Sequence, residues 1–515
     1  MTRRITIDPI TRLEGHGKIE IFLDDAGDVS SAYFQIPELR GFESFCVGRH
    51  AEEMANITNR ICGVCPEAHH MAAAKAVDAA FGVTCLPAAR RIRELIYMAF
   101  FVTDHTTHFY CLGGPDFIVG PDAPASERNI LGVIRKVGVD IGLQVINCRK
   151  RNHELIKRLG GRGVHLCGAL PGGWSVALSE EMRRDFLDCA KENIDFARFS
   201  LKTFDDIVLK DQAYLDLMFS DLYRHETHSM GTVDAGMAPN FYEGRIRVVD
   251  TLGNEVALYD PKDYLSHIAE HVEPWSYLKF PYLKKFGWNG FVDGQESGIY
   301  HATPLARLNV ADRMATPLAQ AEFERFFDTF GARGKAANGR NLPVHQRLAT
   351  HWARLIELLH AAERMQELLE HPEICDPAVR QVVEARAGIG IGSVEAPRGT
   401  LTHHYETDVR GVLTRVNLNI NSAHHFHKSS LWVDFATRIT TAMQPNPCHT
   451  IRSRAAIRGR TLCSGSKPHR QRPSSTRPFC RPCIRDLHEA WCFAMRLRGH
   501  CSHRTSARVV SYQPW

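Results

Sequence analysis

The stretch Asn59–His70 reads NRICGVCPEAHH and carries the densest group of reactive side chains in the chain. Two thiolates separated by two residues, Cys62 and Cys65, can bind one soft metal ion from a single turn, and Gly63 lets the backbone bend tightly between them. The neighbouring Arg60 favours the ionised form of both thiols. A lone pair supplies only half of a tetrahedral site, so a pair of buried thiols and half of a zinc knuckle remain open interpretations of this motif alone.

Further motifs lie on both sides of this stretch. They are Arg12–His16 (RLEGH), Arg40–Glu43 (RGFE), Asp104–Tyr110 (DHTTHFY), Gly244–Arg247 (GRIR), Val394–Thr400 (VEAPRGT) and His403–Tyr405 (HHY). Together with the cysteine motif, this order over residues 3–418 resembles the large subunit of nickel-iron hydrogenases. Trp275–Tyr282 (WSYLKFPY) is similar to the cytosolic, bidirectional branch of that family, whose large subunits work with a cofactor-reducing module.

The resemblance implies a nickel ion held by four cysteine thiolates, two of which bridge to an iron carrying carbon monoxide and cyanide ligands. Cys62 would be a terminal nickel ligand and Cys65 a bridging ligand. His69 would lie beside the bridging sulfur, although a histidine at this spacing is by itself more often an ordinary helix residue. Arg60 and Pro397, which belong to the matching motifs, are expected to contact the cofactor.

The same resemblance implies roles for three acidic residues and one arginine. Glu14 would be the first proton acceptor when dihydrogen is split. Arg398 would hang over the open metal position, with Asp104 orienting its guanidinium group. Glu43 would bind a structural magnesium or iron ion, since hard cations prefer oxygen ligands. Without the resemblance, Glu14 would be interpreted as part of a strand-end ion pair, Arg398 as a turn residue and Glu43 as a surface carboxylate.

Hydrophobic periodicity predicts an α+β, helix-dominated fold with small peripheral antiparallel sheets, in agreement with the hydrogenase large-subunit-like fold that the resemblance implies. Alternating apolar residues predict a hairpin of Lys18–Leu23 and Val29–Ile36, and a second β-rich patch over Arg245–Tyr259. Helices are predicted over Arg91–His108, Ser179–Leu209 and Val344–Glu370. The last has one apolar stripe, formed by Leu348, Trp352, Leu355, Leu359 and Ala362.

The composition is that of an ordinary globular chain, with 515 residues, 44% hydrophobic and 23% charged residues, and a net charge of +5. No apolar run approaches the roughly 18 residues of a membrane span, and Met1–Arg12 lacks the apolar core of a secretory signal. We therefore expect a cytoplasmic protein whose 15 cysteines serve as reduced thiols and metal ligands rather than as a disulfide framework.

Charge is unevenly distributed along the chain. Residues 446–515 hold 14 basic and two acidic side chains, whereas the rest holds 49 basic and 56 acidic ones. Six of the cysteines lie in the same basic segment. Regular periodicity fades beyond about Leu418. We therefore expect residues 1–418 to form the hydrogenase-like domain, and residues 419–515 to be an aberrant basic segment that is disordered or out of frame.

The family supplies its second pair of nickel ligands from a C-terminal Asp-Pro-Cys-x-x-Cys-x-x-His motif, and this string is missing from the sequence. Cys480 and Cys483 have the inner spacing but lack the preceding Asp-Pro, and Asn446–Cys448 matches only the front half. A reading frame shifted near residue 418 would explain the loss. If the tail is genuine, Cys62 and Cys65 alone would leave nickel half-ligated.

The leading hypothesis is the catalytic large subunit of a nickel-iron hydrogenase, which oxidises dihydrogen reversibly. An iron-sulfur small subunit is expected as partner, with an NAD(P)-linked diaphorase module and maturation factors. The alternative is an inactive, metal-deficient scaffold subunit, which the missing motif favours and the retained site residues oppose. A nucleic-acid-binding tail is a third interpretation; the basic segment supports it, and the lack of interleaved aromatic residues opposes it.

Overall fold

The computed structural model describes residues 3–420, except positions 11, 13, 26, 28, 37–40, 122 and 277. The α-helices in these ranges are α1 (Phe42–Cys46), α2 (Met54–Thr58), α3 (Pro66–Phe81), α4 (Pro87–Thr107), α5 (Gly114–Ile118), α6 (Ile130–Val137), α7 (Val139–Gly160), α8 (Glu180–Phe204), α9 (Gln212–Phe219), α10 (Tyr264–His267), α11 (Pro304–Val310), α12 (Pro317–Thr329) and α13 (Thr350–Glu370). Two π-helical turns continue α4 and α8, at His108–Gly113 and Asp205–Leu209.

The strands form five small sheets within the described ranges. Their bounds are β1 (Arg3–Ile7), β2 (Lys18–Leu23), β3 (Val29–Gln35), β4 (Ala169–Leu170), β5 (Gly173–Trp174), β6 (His228–Val233), β7 (Arg245–Val249), β8 (Glu255–Tyr259), β9 (Ile268–Val272), β10 (Lys279–Leu283), β11 (Tyr300–His301), β12 (Gly388–Ala396), β13 (Gly399–Thr407) and β14 (Leu413–Ile420). Neighbouring strands are antiparallel except β6 and β11, which form a short parallel pair.

The described residues divide into two units, 3–109 with 143–420 and 110–142. In the described part of the second unit, Asn129 caps α6 by accepting hydrogen bonds from the amides of Leu131 and Gly132. The described part of the first unit has a helical core built around α13. This helix packs against α4 and α8 and buries Trp352 completely.

A glycine stripe brings β12 directly onto α3. A Cβ atom at Gly388, Gly390 or Gly392 would overlap the backbone carbonyls of Ala80, Ala76 and Ala72, respectively. Close backbone approach of this kind is available only to glycine. Since the contacts run backwards along α3 as β12 proceeds, the end of β12 lies toward the start of α3. The turn after Ala396 therefore lies toward the N-terminal end of α3, which directly follows Cys62 and Cys65.

The predicted elements agree with the structure in kind, with shifted boundaries. The first hairpin and the strands within 245–259 are confirmed. Helix α13 begins at Thr350 rather than Val344, because the Val344 amide donates to Asn309 Oδ1 and a 3-10 turn, Arg347–Ala349, directly precedes the helix. The predicted helix over 179–209 turns π-helical after Phe204. In the described ranges, none of the helices combines the length and apolar character that crossing a bilayer requires.

Candidate active site

Cys62 and Cys65 lie at the entrance to α3. Cys65 is the residue before the helix, Pro66 opens it with the backbone angle that a first turn needs, and the Cys65 amide donates to Cys62 Sγ at 3.0 Å. Both side chains are buried, and their sulfurs are joined as a disulfide. The turn thus directs both sulfurs to one point, which is what two ligands of one metal require once the pair is reduced.

Glu14 lies next to this pair. Its Oε1 is 3.7 Å from Cys62 Sγ, within reach of a weak S–H···O hydrogen bond from the reduced thiol. The Glu14 side chain is only partly buried. Arg60, which precedes the cysteines, is exposed, and the described contacts do not join it to either sulfur.

His69 lies one turn into α3 and belongs to a buried chain of polar groups. Its Nδ1 is 3.3 Å from His403 Nε2, and His403 Nδ1 is 2.7 Å from the Tyr405 hydroxyl. Burial lowers the pKa of His69 to about 3, so the ring is neutral at physiological pH. Its Nε2 has no hydrogen-bond partner among the described residues. The described contacts do not place His69 against either cysteine sulfur.

Arg398 and Asp104 form a buried ion pair. Arg398 Nη2 donates to Asp104 Oδ2 at 2.6 Å, and the two residues are 8% and 3% exposed. Arg398 occupies a two-residue turn, since Ala396 pairs with Gly399 where β12 meets β13. Asp104 lies near the end of α4. Asp104 Oδ1 has no partner in the described part of the chain.

Electrostatics connect the two sides of the site. Burial raises the pKa of Glu67, two residues after Cys65, to about 8, and the negative charge of Asp104 contributes to this rise. The carboxylate at the start of α3 and the one that holds Arg398 therefore act on each other. This coupling supports the placement, derived from the glycine stripe, of the arginine turn at the cysteine end of α3.

A buried network beneath Arg398 was missed by the sequence analysis. Arg307 donates to both oxygens of Glu357 at 2.6 and 2.7 Å, and to Glu395 at 3.2 Å. His105, next to Asp104, lies 2.9 Å from Glu357 Oε2. Burial alone would raise the pKa of Glu357, but the charge and hydrogen bonds of Arg307 outweigh it and hold this pKa to about 2. The sequence signal was available only for Glu395, which belongs to the VEAPRGT motif.

Glu43 lies in an oxygen-rich cluster near β14. Lys279 Nζ donates to both Glu43 oxygens at 2.9 and 3.0 Å, and the Leu418 amide donates to Glu43 Oε1. Glu270 is 3.4 Å from the same ammonium group. Two carboxylates thus face one ammonium, and both Glu43 oxygens accept hydrogen bonds within this cluster.

Several predicted residues lie outside the described ranges. They are Arg40, Cys480, Cys483 and the Asn446–Cys448 segment. Within the described ranges, no group of three or more His, Cys, Asp or Glu side chains is arranged to hold a metal ion. At the cysteine turn, the described residues therefore place two sulfur donors, Cys62 and Cys65.

Comparisons with known proteins agree with this geometry. Residues 40–127 match the family model of nickel-dependent hydrogenases, and residues 4–39 match a model described as HoxL-like. The chain is 45% identical over 423 residues to an iron-sulfur subunit of the F420-non-reducing hydrogenase of Archaeoglobus profundus; the match covers 82% of this chain and 85% of that protein. The chain belongs to the nickel-dependent hydrogenase large-subunit family. It is thus a member of a family of oxidoreductases that act on dihydrogen.

Other hydrogenase relatives cover a similar share of the chain. The NAD-reducing hydrogenase HoxS subunit beta of Cupriavidus necator is 38% identical over 432 residues, covering 81% of this chain and 84% of that protein. A solved NAD+-reducing [NiFe]-hydrogenase in the H2-reduced state matches with a TM-score of 0.73 and 33% identity, covering 86% of this chain and 98% of that one. The helix-dominated α+β hydrogenase large-subunit fold is confirmed.

The two thiols of the cysteine turn fit a site for nickel and iron. Cys62 and Cys65 are soft ligands of the kind that nickel and low-spin iron prefer. The buried Asp104 Oδ1 and His69 Nε2, which lack partners among the described residues, are polar atoms that a bound group could satisfy.

Proposed function

We propose that this chain is the catalytic large subunit of a nickel-iron hydrogenase, which converts dihydrogen reversibly into two protons and two electrons. The observation that carries the proposal is the buried Arg398–Asp104 pair, whose turn β12 directs toward the start of α3, directly after Cys62 and Cys65. A cysteine pair with a nearby carboxylate and an arginine fixed by an aspartate combines the soft metal ligands, proton acceptor and rigid cation that splitting dihydrogen requires.

We propose that Cys62 and Cys65 would hold the metals, Cys62 as a ligand of nickel and Cys65 as a ligand of nickel and of an iron that carries carbon monoxide and cyanide. The bimetallic group would supply the redox chemistry. Arg60 and Pro397 are proposed to contact its ligands, and Cys480 and Cys483 are candidates for the remaining nickel donors. Glu43 is proposed to bind a structural magnesium or iron ion beside Lys279.

Glu14 is proposed to receive the proton released when dihydrogen is cleaved. Its Oε1 lies 3.7 Å from Cys62 Sγ, so a proton on that sulfur has one short transfer to a carboxylate. The partial exposure of Glu14 gives this proton a route toward water. His69 is proposed to orient the cysteine end of α3 through His403.

Arg398 is proposed to stabilise charge that develops as dihydrogen is polarised. A guanidinium stays protonated and is planar, so the Asp104 hydrogen bond at 2.6 Å fixes both its position and its orientation. A cation held in advance in a buried site costs no reorganisation when charge develops.

Electrons released by this chemistry need an acceptor outside this chain. The direct partner that we propose is an iron-sulfur small subunit, with an NAD(P)-linked diaphorase module as the next one. The second proposal draws support from the likeness to NAD-reducing hydrogenases. Insertion of nickel and the diatomic ligands requires maturation factors. We further propose that residues 1–418 form the enzyme domain and that 419–515 are an aberrant segment, which accords with relatives matching about four-fifths of the chain.

An inactive scaffold subunit is the second candidate function, favoured by the missing C-terminal ligand motif. The two candidates differ in nickel content and turnover. We expect the full chain, co-expressed with its partner subunits and reduced, to bind nickel near one ion per chain and to reduce benzyl viologen with dihydrogen. Reduction of NAD(P)+ by the complex would support the diaphorase module. A folded complex that lacks nickel and leaves the dye oxidised would establish the scaffold function instead.

A further inference from the structure

Arg307 contacts the turn that carries Arg398 with both of its terminal nitrogens. It lies on α11, is fully buried, and uses all five of its N–H groups. Three donate to the carboxylates of Glu357 and Glu395. The other two donate to the carbonyls of Ala396 and Pro397, each at 3.0 Å. These carbonyls immediately precede Arg398, so Arg307 fixes the backbone from which the Arg398 side chain extends.

Glu357 connects the network to the Asp104 side of the Arg398–Asp104 ion pair. Its Oε2 lies 2.9 Å from His105 Nε2, and His105 directly follows Asp104 on α4. Arg354 completes a ring, because its Nη1 is 3.4 Å from His105 Nδ1 and 3.5 Å from the Pro397 carbonyl. One buried network therefore joins the backbone next to Arg398 with the residue next to Asp104.

The network contains equal numbers of basic and acidic side chains. Arg307, Arg354 and Arg398 face Glu357, Glu395 and Asp104, all of them buried. Buried ion pairs are expensive to desolvate, and apolar residues of the same volume often serve stability as well. Apolar residues could not replace the two hydrogen bonds that Arg307 donates to the carbonyls of Ala396 and Pro397, in the turn that carries Arg398. Their expected effect is therefore on the location of Arg398 more than on folding.

We propose that Arg307 and Glu357 are positioning residues, which hold the Arg398 guanidinium at the place where hydrogenase chemistry needs it. This inference rests on the proposed function of Arg398. Displacement of a reacting group by about 1 Å can cost about 100-fold in rate. The network would prevent such a displacement of Arg398 by holding both its own turn and the Asp104 end of α4.

The test replaces Arg307 with lysine in the full chain within its complex. Lysine keeps the charge but has a single nitrogen, which cannot hold two carboxylates and two carbonyls. Arg93→Lys is the matched control. Arg93 is also fully buried, donates to Asp78 at 2.6 Å and to the carbonyls of Leu170 and Gly173, and lies outside the network.

We expect R307K to retain nickel and to lower kcat for dihydrogen-dependent dye reduction by about 100-fold, with little change in KM. A crystal structure should show the 2.6 Å contact between Arg398 and Asp104 lengthened. R93K should keep both kcat and that contact. An R307K enzyme whose kcat and Arg398 position match those of R93K would overturn the proposal.

A second variant tests the proposal in case R307K folds poorly. Glu357→Gln keeps the side-chain shape while weakening both the Arg307 and the His105 contacts. It should also lower kcat, by a smaller factor than R307K. Unchanged kcat and unchanged Arg398 position in E357Q would also refute the positioning role. If the unsubstituted complex shows no turnover with dihydrogen, the proposed function fails, and the crystallographic position of Arg398 alone decides whether the network sets it.

Discussion

The cysteine turn and the Arg307–Glu357 pair differ in how completely the described residues satisfy their hydrogen-bonding groups. On the cysteine side, His69 Nε2 and Glu67 Oε2 are buried with no hydrogen-bond partner among those residues. In the Arg307 network, every N–H group of Arg307 is used and Glu357 is held ionised. A buried polar atom without a partner costs about 1–3 kcal/mol, so such atoms call for an explanation in a native fold.

This difference indicates that the two sides of the site have separate roles. The described part of the chain holds Arg307 and Glu357 by itself, although Asp104 Oδ1 and Arg354 Nε have no partner there. The metal-binding side needs further donors. Buried charge can be held in place before anything binds, which is what transition-state stabilisation by fixed groups requires. Metal ligands, in contrast, gain most of their order from the metal itself. Variants on the two sides should therefore fail in different ways.

The largest effect is expected on the cysteine side. Cys62→Ser removes one of two described sulfur donors, so nickel should be lost and dye reduction should fall to background. Cys189→Ser is the control, because Cys189 is equally buried but contacts Asn193 rather than the site. Metal analysis and dihydrogen-dependent dye reduction measure both variants. Full activity in C62S would be fatal to the proposed ligand role.

On the arginine side, Arg398→Lys should leave nickel bound and reduce kcat by about 100- to 1,000-fold, the usual cost of losing one fixed charge-stabilising donor. Lysine cannot reproduce the planar guanidinium held by Asp104. Arg415→Lys is the control, since Arg415 pairs with Glu406 on the surface. Loss of nickel in R398K would show that the two sides are not separable.

The contact between the two sides can be altered directly. Gly390→Ala forces a methyl group into the Ala76 carbonyl, and β12 must move away from α3. We expect the free energy of unfolding to fall by about 1–3 kcal/mol in denaturant titrations. Gly163→Ala, where a Cβ meets only ordinary van der Waals contacts, should change it by less than about 0.5 kcal/mol. Equal effects of the two substitutions would argue against the close packing.

The last prediction concerns pH dependence and a buried histidine, His360, on which the charge of Glu357 also acts. Burial lowers the pKa of His360 to about 4 from an ordinary 6.5. Between these values the unfolded chain binds a proton that the folded chain does not, so stability declines as pH falls, by up to about 1.4 kcal/mol per unit. His360→Gln should reduce this acid dependence over pH 4–6.5. An unchanged pH dependence of unfolding would mean that His360 titrates normally in the fold.

Much of the fold could be predicted because its pattern is local. The hairpin of β2 and β3 and the apolar stripe of α13 follow from residue alternation and helical spacing. The sheet of β12–β14 was missed, although Gly388, Gly390 and Gly392 alternate in the sequence. Alternating glycines carry no hydrophobic signal, and their purpose becomes apparent only when the Ala72–Ala80 face of α3 is placed against them.

Some residues of the site could likewise be predicted from the sequence, and others could not. The resemblance led to Asp104 and Arg398, and the structure joins them across 294 residues of sequence. Arg307 and Glu357 could not be predicted, because a buried arginine on a short helix has no local pattern that distinguishes it from a surface residue. Their partners come from four separate elements, and this long-range pairing exists only in the folded chain.

Isotope exchange tests the central claim most directly, because it reports the splitting of dihydrogen without requiring an electron acceptor. The full chain in its reduced, nickel-containing complex is supplied with D2 in ordinary water, and the formation of HD is followed by mass spectrometry. We predict steady HD formation that R398K slows by about 100-fold at equal nickel content. A nickel-loaded complex that forms no HD would contradict the account.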